Sequence, residues 1–175
     1  MDKKKSGLFK PVIVLGLISL ITAGALGCVN SVTQKPIAEL TEHSRDNAMR
    51  EVLPADSYVE TSVSGVYSAV VGGESVGYVV ETAPNGFGGA INLVTGIDVD
   101  KITVTGVAII SMTETANLGT NADKPEWRAQ FAGLSQSAAL SKDGGTIDAL
   151  TGATITSRAI VDGVNGALRL VGEVS

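Results

Sequence analysis

The chain has 175 residues and a formal net charge of −5, a length that supplies one domain with a substantial core and hardly two. After residue 30 there are nine Lys or Arg residues and seventeen Asp or Glu residues. This acidity argues against a nucleic-acid-binding protein.

The first 29 residues have the pattern of a membrane segment. Residues 1–10 contain Lys3, Lys4, Lys5 and Lys10, and residues 11–29 carry no charge. Nineteen helical residues, at about 1.5 Å each, roughly cover a hydrocarbon core. We therefore predict a single transmembrane helix over residues 11–29. The lysines predict a cytoplasmic N-terminus over residues 1–10 and an extracytoplasmic remainder, by the positive-inside rule.

Two other interpretations of this segment remain open. A basic start followed by an apolar core is also typical of a cleaved signal peptide. Gly27-Cys28 resembles a lipoprotein processing site, although Ala25 stands where Leu is usual. All three interpretations place the rest of the chain outside the cytoplasm. Cys28 is the only cysteine, so the sequence contains neither an intrachain disulfide nor the four cysteine ligands of an iron–sulfur cluster.

Residues 30–54 are predicted to form a helix that connects the membrane segment to the domain. Apolar residues recur at helical spacing over 35–53, and Pro54 stops the helix. His43, the only histidine, falls in the polar part of this stretch. It is interpreted as a solvated surface residue, so no metal site is argued from it.

The domain over residues 55–175 begins with β-rich segments. Residues 58–63 predict a short strand, and residues 66–71 and 76–82 predict a hairpin turned at Gly72-Gly73. Tyr67 and Tyr78 are predicted to pack within this hairpin. A glycine-rich segment, residues 84–89, leads into a buried strand over 90–98. Residues 101–112 predict the next strand, paired with it across a turn at 98–100.

Helical patterns follow the strands. Residues 123–131 predict a short helix with Pro125 in its first turn and Gly133 after its end, and Trp127 and Phe131 share the face that docks on the sheet. Residues 135–143 receive no assignment. An amphipathic helix begins at Thr156. The predicted fold class is therefore α+β, with an antiparallel sheet and packed helices.

The loop before the last helix concentrates hydroxyl groups. Thr151, Gly152, Thr154, Thr156 and Ser157 fall within residues 148–157. Thr156 or Ser157 is predicted to cap the helix, and Gly152 lets the backbone approach another group closely. A helix N-terminus of this kind suits a phosphate. A turn followed by a helix cap, with no bound ligand, explains the same residues. The residue types of the loop alone do not decide between a cap and a phosphate site.

The run from Asp148 to Thr154 resembles the flavinylation motif of the FMN-binding domain family, found in the RnfG and NqrC subunits of ion-translocating redox complexes. In that family an Asp precedes Ser/Thr-Gly-Ala-Thr, and the last Thr, here Thr154, carries FMN through a phosphoester bond. The resemblance implies that Asp148, Thr151, Gly152 and Ala153 belong to the same cofactor-binding motif. It also implies a separate Mg-dependent FMN transferase, with FAD as donor.

Two further segments extend the resemblance. Residues 86–98 are similar to the family's Gly-aromatic-Gly-Gly run and the strand that follows it, which ends in Gly-Ile-Asp. Residues 114–119 resemble Glu-Thr-Pro-Gly-Leu-Gly, which lines the flavin pocket in the family. Glu114, Thr115, Leu118 and Gly119 match, whereas Ala116-Asn117 replaces Pro-Gly. Asn tolerates the positive φ that Gly would supply better than most residues do.

Within the family, the compact chain is more similar to the Rnf type. This resemblance implies an electron-transfer subunit of a membrane-bound, ion-translocating ferredoxin:NAD⁺ oxidoreductase complex, with other subunits as partners and no complete activity alone. The alternatives are the NqrC-type subunit of a Na⁺-translocating quinone reductase and a stand-alone flavinylated anchored protein or lipoprotein that delivers electrons to an extracellular acceptor. A binding module without redox chemistry is a further alternative.

Overall fold

The structure, a computed structural model, describes residues 6–100 and 102–174, except for the side chains of residues 6–9 and 35–39. Lys3, Lys4 and Lys5 of the predicted cytoplasmic segment lie outside the described residues, as does Lys101 at the start of the predicted fifth strand. The chain divides into two compact units, Met1–Glu42 and His43–Ser175.

One long helix, α1, runs from Ser6 to Val52. It contains Lys10–Gln34, the one stretch of the described residues that is long and apolar enough to cross a membrane. The large apolar side chains of this stretch are exposed, which suits contact with lipid. The predicted membrane helix and most of the predicted connecting helix thus lie in one continuous helix. His43 is exposed, as predicted.

The domain is built on a five-stranded antiparallel sheet in the order β1-β2-β3-β4-β5. Each strand pairs only with its neighbours along the chain. The predicted hairpin and the predicted pairing of the two later strands are both confirmed. The strands are β1 Ser57–Glu60, β2 Val66–Val71, β3 Glu74–Thr82, β4 Asn92–Asp98 and β5 Val104–Ser111.

Helices cover both faces of this sheet. In the described part of the chain, two α-helices follow the strands, α2 at Pro125–Arg128 and α3 at Thr154–Gly172, together with short 3-10 turns. Ile160 and Val164 of α3 pack with Leu93 of the sheet and with Phe131, all four being fully buried. On the opposite face, Met49 and Val52 of α1 pack on Val79, Val94 and Ala108. The fold class is therefore α+β, as predicted, with the sheet between two helical layers.

The end of α1 is fixed to the sheet by polar contacts as well as by packing. Thr105 Oγ1 donates a hydrogen bond of 2.6 Å to the carbonyl oxygen of Val52. Arg128 Nη1 donates both to Glu51 Oε1, at 2.7 Å, and to the carbonyl of Val107, at 2.9 Å. Earlier in α1, Arg45 forms a salt bridge with Glu81 and its guanidinium group lies over the ring of Tyr67. The last turns of α1 are thus part of the domain.

The start of α3 differs from the prediction. The helix begins at Thr154 rather than Thr156, and no side chain caps it. Thr156 and Ser157 lie inside the first turns and are buried. Their hydroxyls have other partners, because Thr156 donates to Glu114 Oε2 and Ser157 accepts from Leu150 N–H. The early start makes Thr154 the first helical residue.

Candidate functional site

Three loops meet at one end of the strands, where β4 begins and β5 ends. Asn92 at the start of β4 pairs with Ser111 at the end of β5, so the segment before β4 lies beside the segment after β5. Thr113 Oγ1 donates to the carbonyl oxygen of Gly88 at 2.9 Å. The start of α3 completes the group through the Thr156–Glu114 hydrogen bond of 2.9 Å. The three segments are far apart in sequence and adjacent in space.

Glu114 joins all three loops. The residue is buried, with 9% of its surface exposed. One carboxylate oxygen accepts from the backbone N–H of Gly88 at 3.1 Å, and the other accepts from Thr156. A Cβ on Gly86 would lie 2.1 Å from Oε1, and a Cβ on Gly119 would lie 2.5 Å from Oε2. The glycines of the predicted motifs therefore leave the space that this carboxylate occupies.

A cavity of about 370 Å³ opens beside this group. Its volume falls within the range of small-molecule sites. Three of its lining side chains are large, apolar and exposed, namely Phe87 at 69%, Ile155 at 55% and Leu118 at 43%. Exposed apolar side chains grouped around a cavity indicate a binding surface for a planar or apolar ligand. The remaining lining residues are Glu114, Thr115, Gly119, Gly152, Ala153, Thr154 and Thr156.

The N-terminus of α3 supplies a polar end to the cavity. Among the described residues, no acceptor receives a hydrogen bond from the backbone N–H groups of Thr154, Ile155 and Thr156. Gly152 has φ +75°, a conformation that glycine adopts without strain, and a Cβ there would lie 3.2 Å from Leu118. Free N–H groups and the positive end of the helix dipole together favour a bound phosphate.

The four hydroxyl groups within residues 148–157 differ in their hydrogen bonding. Those of Thr156 and Ser157 donate to Glu114 and to the carbonyl of Ala153, respectively. No hydrogen bond joins the hydroxyl of Thr154 or Thr151 to another described residue. Thr154 lines the cavity, whereas Thr151 does not. Of the four hydroxyls within residues 148–157, Thr154 therefore carries the one that is both unengaged and placed at the cavity.

The predicted site residues fall into two groups. Seven line the cavity together, and they are Glu114, Thr115, Leu118, Gly119, Gly152, Ala153 and Thr154. Asp148 and Thr151 are exposed and do not line it. The backbone of Asp148 is nonetheless fixed, because its carbonyl accepts from Trp127 Nε1 at 2.8 Å and its N–H donates to Gln130 at 2.7 Å. The predicted docking helix thus holds the motif loop.

Phe87 and Ile155 line the cavity but were not predicted as site residues. Phe87 lies in the glycine-rich segment, where it is the only aromatic residue and has a glycine on each side. Ile155 stands alone as a large apolar residue among hydroxyls. The departure at Ala116-Asn117 is accommodated, since Asn117 adopts φ 59° and its N–H donates to Thr120 Oγ1 at 2.9 Å.

The chain is similar to a known protein family and to characterised relatives. The profile of the FMN-binding domain family matches residues 86–169, which include all three loops. The G subunit of the ion-translocating oxidoreductase complex of Methanosarcina acetivorans is 34% identical over 93% of each chain. The G subunit of the Na⁺-translocating ferredoxin:NAD⁺ oxidoreductase complex of Acetobacterium woodii is 33% identical, over 96% of this chain and 93% of the relative.

Solved structures share the fold. NqrC of Shewanella oneidensis superposes with a TM-score of 0.53 and 17% identity, over 71% of this chain and 69% of its own. The C subunit of the Na⁺-translocating NADH-quinone reductase of Parabacteroides distasonis gives a TM-score of 0.50 and 23% identity over 63% of each chain. At these identities the likeness concerns the fold alone.

Proposed function

The chain belongs to the family of G subunits of ion-translocating oxidoreductase complexes, and from this membership we propose that it relays electrons through an FMN bound covalently to Thr154. The redox role and FMN binding rest on the relatives and on the FMN-binding domain. The attachment residue rests on one observation, the unengaged Thr154 hydroxyl at the first position of α3 beside the cavity.

The residues of the cavity suit FMN in both chemistry and arrangement. The N–H groups of Thr154, Ile155 and Thr156 would bind the phosphate, since they have no acceptor among the described residues. Phe87, Leu118 and Ile155 would cover the apolar ring. The helix end and the apolar side chains line the same cavity. An FMN joined to Thr154 could therefore have its phosphate beside the helix end and its ring beside the apolar side chains.

When bound, FMN accepts and passes on electrons singly or in pairs. The protein holds it, excludes part of the solvent through the three apolar side chains, and keeps it at one place in the complex. Covalent attachment prevents loss where no FMN is supplied. The relatives are subunits of multisubunit complexes, so the electron donor and acceptor belong to other subunits. Residues 11–29 carry no charge, so ion transport also falls to those subunits.

Maturation would depend on Asp148. Its carboxylate is exposed and its backbone is held by Trp127 and Gln130. This combination presents a fixed acidic group a few residues before Thr154, without filling the cavity. We propose that it is recognised by the FMN transferase, rather than by the flavin itself.

Purification from the native membrane tests the function. Tagged protein should retain yellow, fluorescent flavin after denaturation in SDS, and it should co-purify with several membrane and peripheral redox subunits. The same purification from cells lacking the FMN transferase is the control, and it should yield the complex without covalent flavin. A flavin-bearing protein that purifies alone, with lipid on Cys28, would instead indicate the stand-alone carrier.

The orientation across the membrane is a separate prediction. Lysines before residue 11 and the uncharged stretch after it favour an extracytoplasmic domain. Protease added to intact spheroplasts should therefore cleave the domain, and a cytoplasmic reporter protein should survive as the control. Protection of the domain until the membrane is lysed would show the opposite orientation, and the electron route would then lie on the cytoplasmic side.

A further inference from the structure

Glu114 is the one acidic side chain that is buried among the residues the structure describes. Both of its carboxylate oxygens accept hydrogen bonds, but the donors are neutral, the N–H of Gly88 and the hydroxyl of Thr156. No Lys or Arg within the described chain forms an ion pair with it. Burying a carboxylate without a cation costs stability. A neutral glutamine has the same shape and could form hydrogen bonds with both Gly88 and Thr156. The hydrogen bonds alone therefore do not require a negative charge at this position.

The negative charge of Glu114 lies at the cavity. Glu114 lines the same cavity as Thr154, and the other large side chains of that lining are apolar. A ligand that filled the cavity would displace water from beside Glu114, and charges interact more strongly in such surroundings than in bulk water. The positive end of α3 lies beside the carboxylate through Thr156, which offsets part of the cost of burial. A ligand in the cavity would nevertheless lie close to an anionic group.

We propose that the Glu114 carboxylate lowers the reduction potential of the flavin held in this cavity. The inference rests on the proposed function, namely FMN in the cavity. An electron that enters the flavin adds negative charge near Glu114, so repulsion disfavours the reduced form. Glu114 itself neither gains nor loses electrons, since they come from the donor subunit and leave to the acceptor subunit. The carboxylate therefore makes the reduced protein a stronger electron donor.

Glu114→Gln is the decisive variant. Its amide oxygen can accept from Gly88 and its NH₂ group can donate to Thr156, so the loops remain joined while the charge is removed. A redox titration of the flavinylated full-length protein should show a higher midpoint potential. We expect at least a tenfold change in the one-electron equilibrium constant, which corresponds to about 59 mV. The visible absorption maximum should stay close to that of the wild type, because the ring environment keeps its shape.

Two further variants separate charge from structure. Glu126→Gln removes an exposed acid in the first turn of α2, outside the cavity, and should leave the potential unchanged. Glu114→Ala removes both the charge and the two hydrogen bonds, and its potential should rise as well. A wild-type potential in Glu114→Gln would overturn the proposal, whether or not Glu114→Ala changes it.

Loss of flavin binding or of folding in Glu114→Gln would also contradict the proposal. If Glu114→Gln folds but takes up no flavin, the residue serves uptake and the proposal is wrong. If it does not fold, the charge is needed for the structure and the premise is wrong. Failure of the proposed function is distinct, because the wild type itself would then carry no flavin. Circular dichroism and flavin fluorescence of each protein, recorded before the titration, identify which case applies.

Discussion

Thr154→Val is expected to abolish covalent flavin completely while leaving the domain folded. Valine keeps the shape of threonine and removes the oxygen to which we propose the phosphate is joined. Thr154 makes no side-chain hydrogen bond to another described residue, so its loss leaves no buried partner unsatisfied. After co-expression with an FMN transferase, intact-mass measurement should show the mass of one FMN on the wild type and none on the variant.

Thr151→Val is the matched control, since it removes a hydroxyl three residues earlier in the same loop. Thr151 is exposed and does not line the cavity, so this variant should still gain one FMN. Asp148→Ala should gain it more slowly, because the transferase loses a recognition group. Covalent flavin on Thr154→Val, together with its absence from Thr156→Val, would move the attachment site and overturn the assignment.

Gly96→Ala is expected to destabilise the domain. A Cβ at this position would lie 2.3 Å from Thr105 Oγ1 and 2.7 Å from the carbonyl oxygen of Val52. The variant must displace the end of α1 or break the Thr105–Val52 hydrogen bond. Overpacking of this kind costs about 1–3 kcal/mol. Thermal unfolding of the full chain in detergent should show a midpoint lowered by several degrees.

Gly106→Ala provides the comparison. Gly106 pairs with Gly96 across β4 and β5, but the nearest atom to its added Cβ would be Val52 Cα at 3.6 Å, which is an ordinary contact. This variant should unfold within about a degree of the wild type or slightly above it, because Ala restricts the unfolded chain more than Gly does. Equal destabilisation by the two variants would show that α1 is not held as described.

The sequence predicted the parts of the fold that depend on local pattern. The glycine turn at Gly72-Gly73 fixed the hairpin, and β-branched runs located the other strands. Trp127 and Phe131, four residues apart, correctly indicated a docking face, and both are buried in edge-to-face contact with ring centroids 5.4 Å apart. These features follow from spacing and residue type, which a sequence displays directly.

Features that depend on distant partners could not be predicted. Thr156 and Ser157 have the residue types of a helix cap, but Glu114 and Leu150 engage their hydroxyls, and the helix begins two residues earlier. Nothing local distinguishes a buried Glu114 from a solvated glutamate in a strand-exit loop. Phe87 reaches the cavity only because β4 and β5 bring residues 84–89 and 113–119 together.

The neighbour-to-neighbour order of the sheet has a consequence for the time at which the cofactor can be added. Strands that pair only with their chain neighbours assemble early, as synthesis proceeds. The cavity needs α3 as well, and α3 is the last element that the structure describes. A chain interrupted before residue 154 would have all five strands but neither Thr154, the proposed attachment residue, nor the helix end beside it. If FMN is attached to Thr154 as we propose, attachment would mark chains in which α3 has been made and has folded onto the sheet, and products that lack α3 would stay colourless.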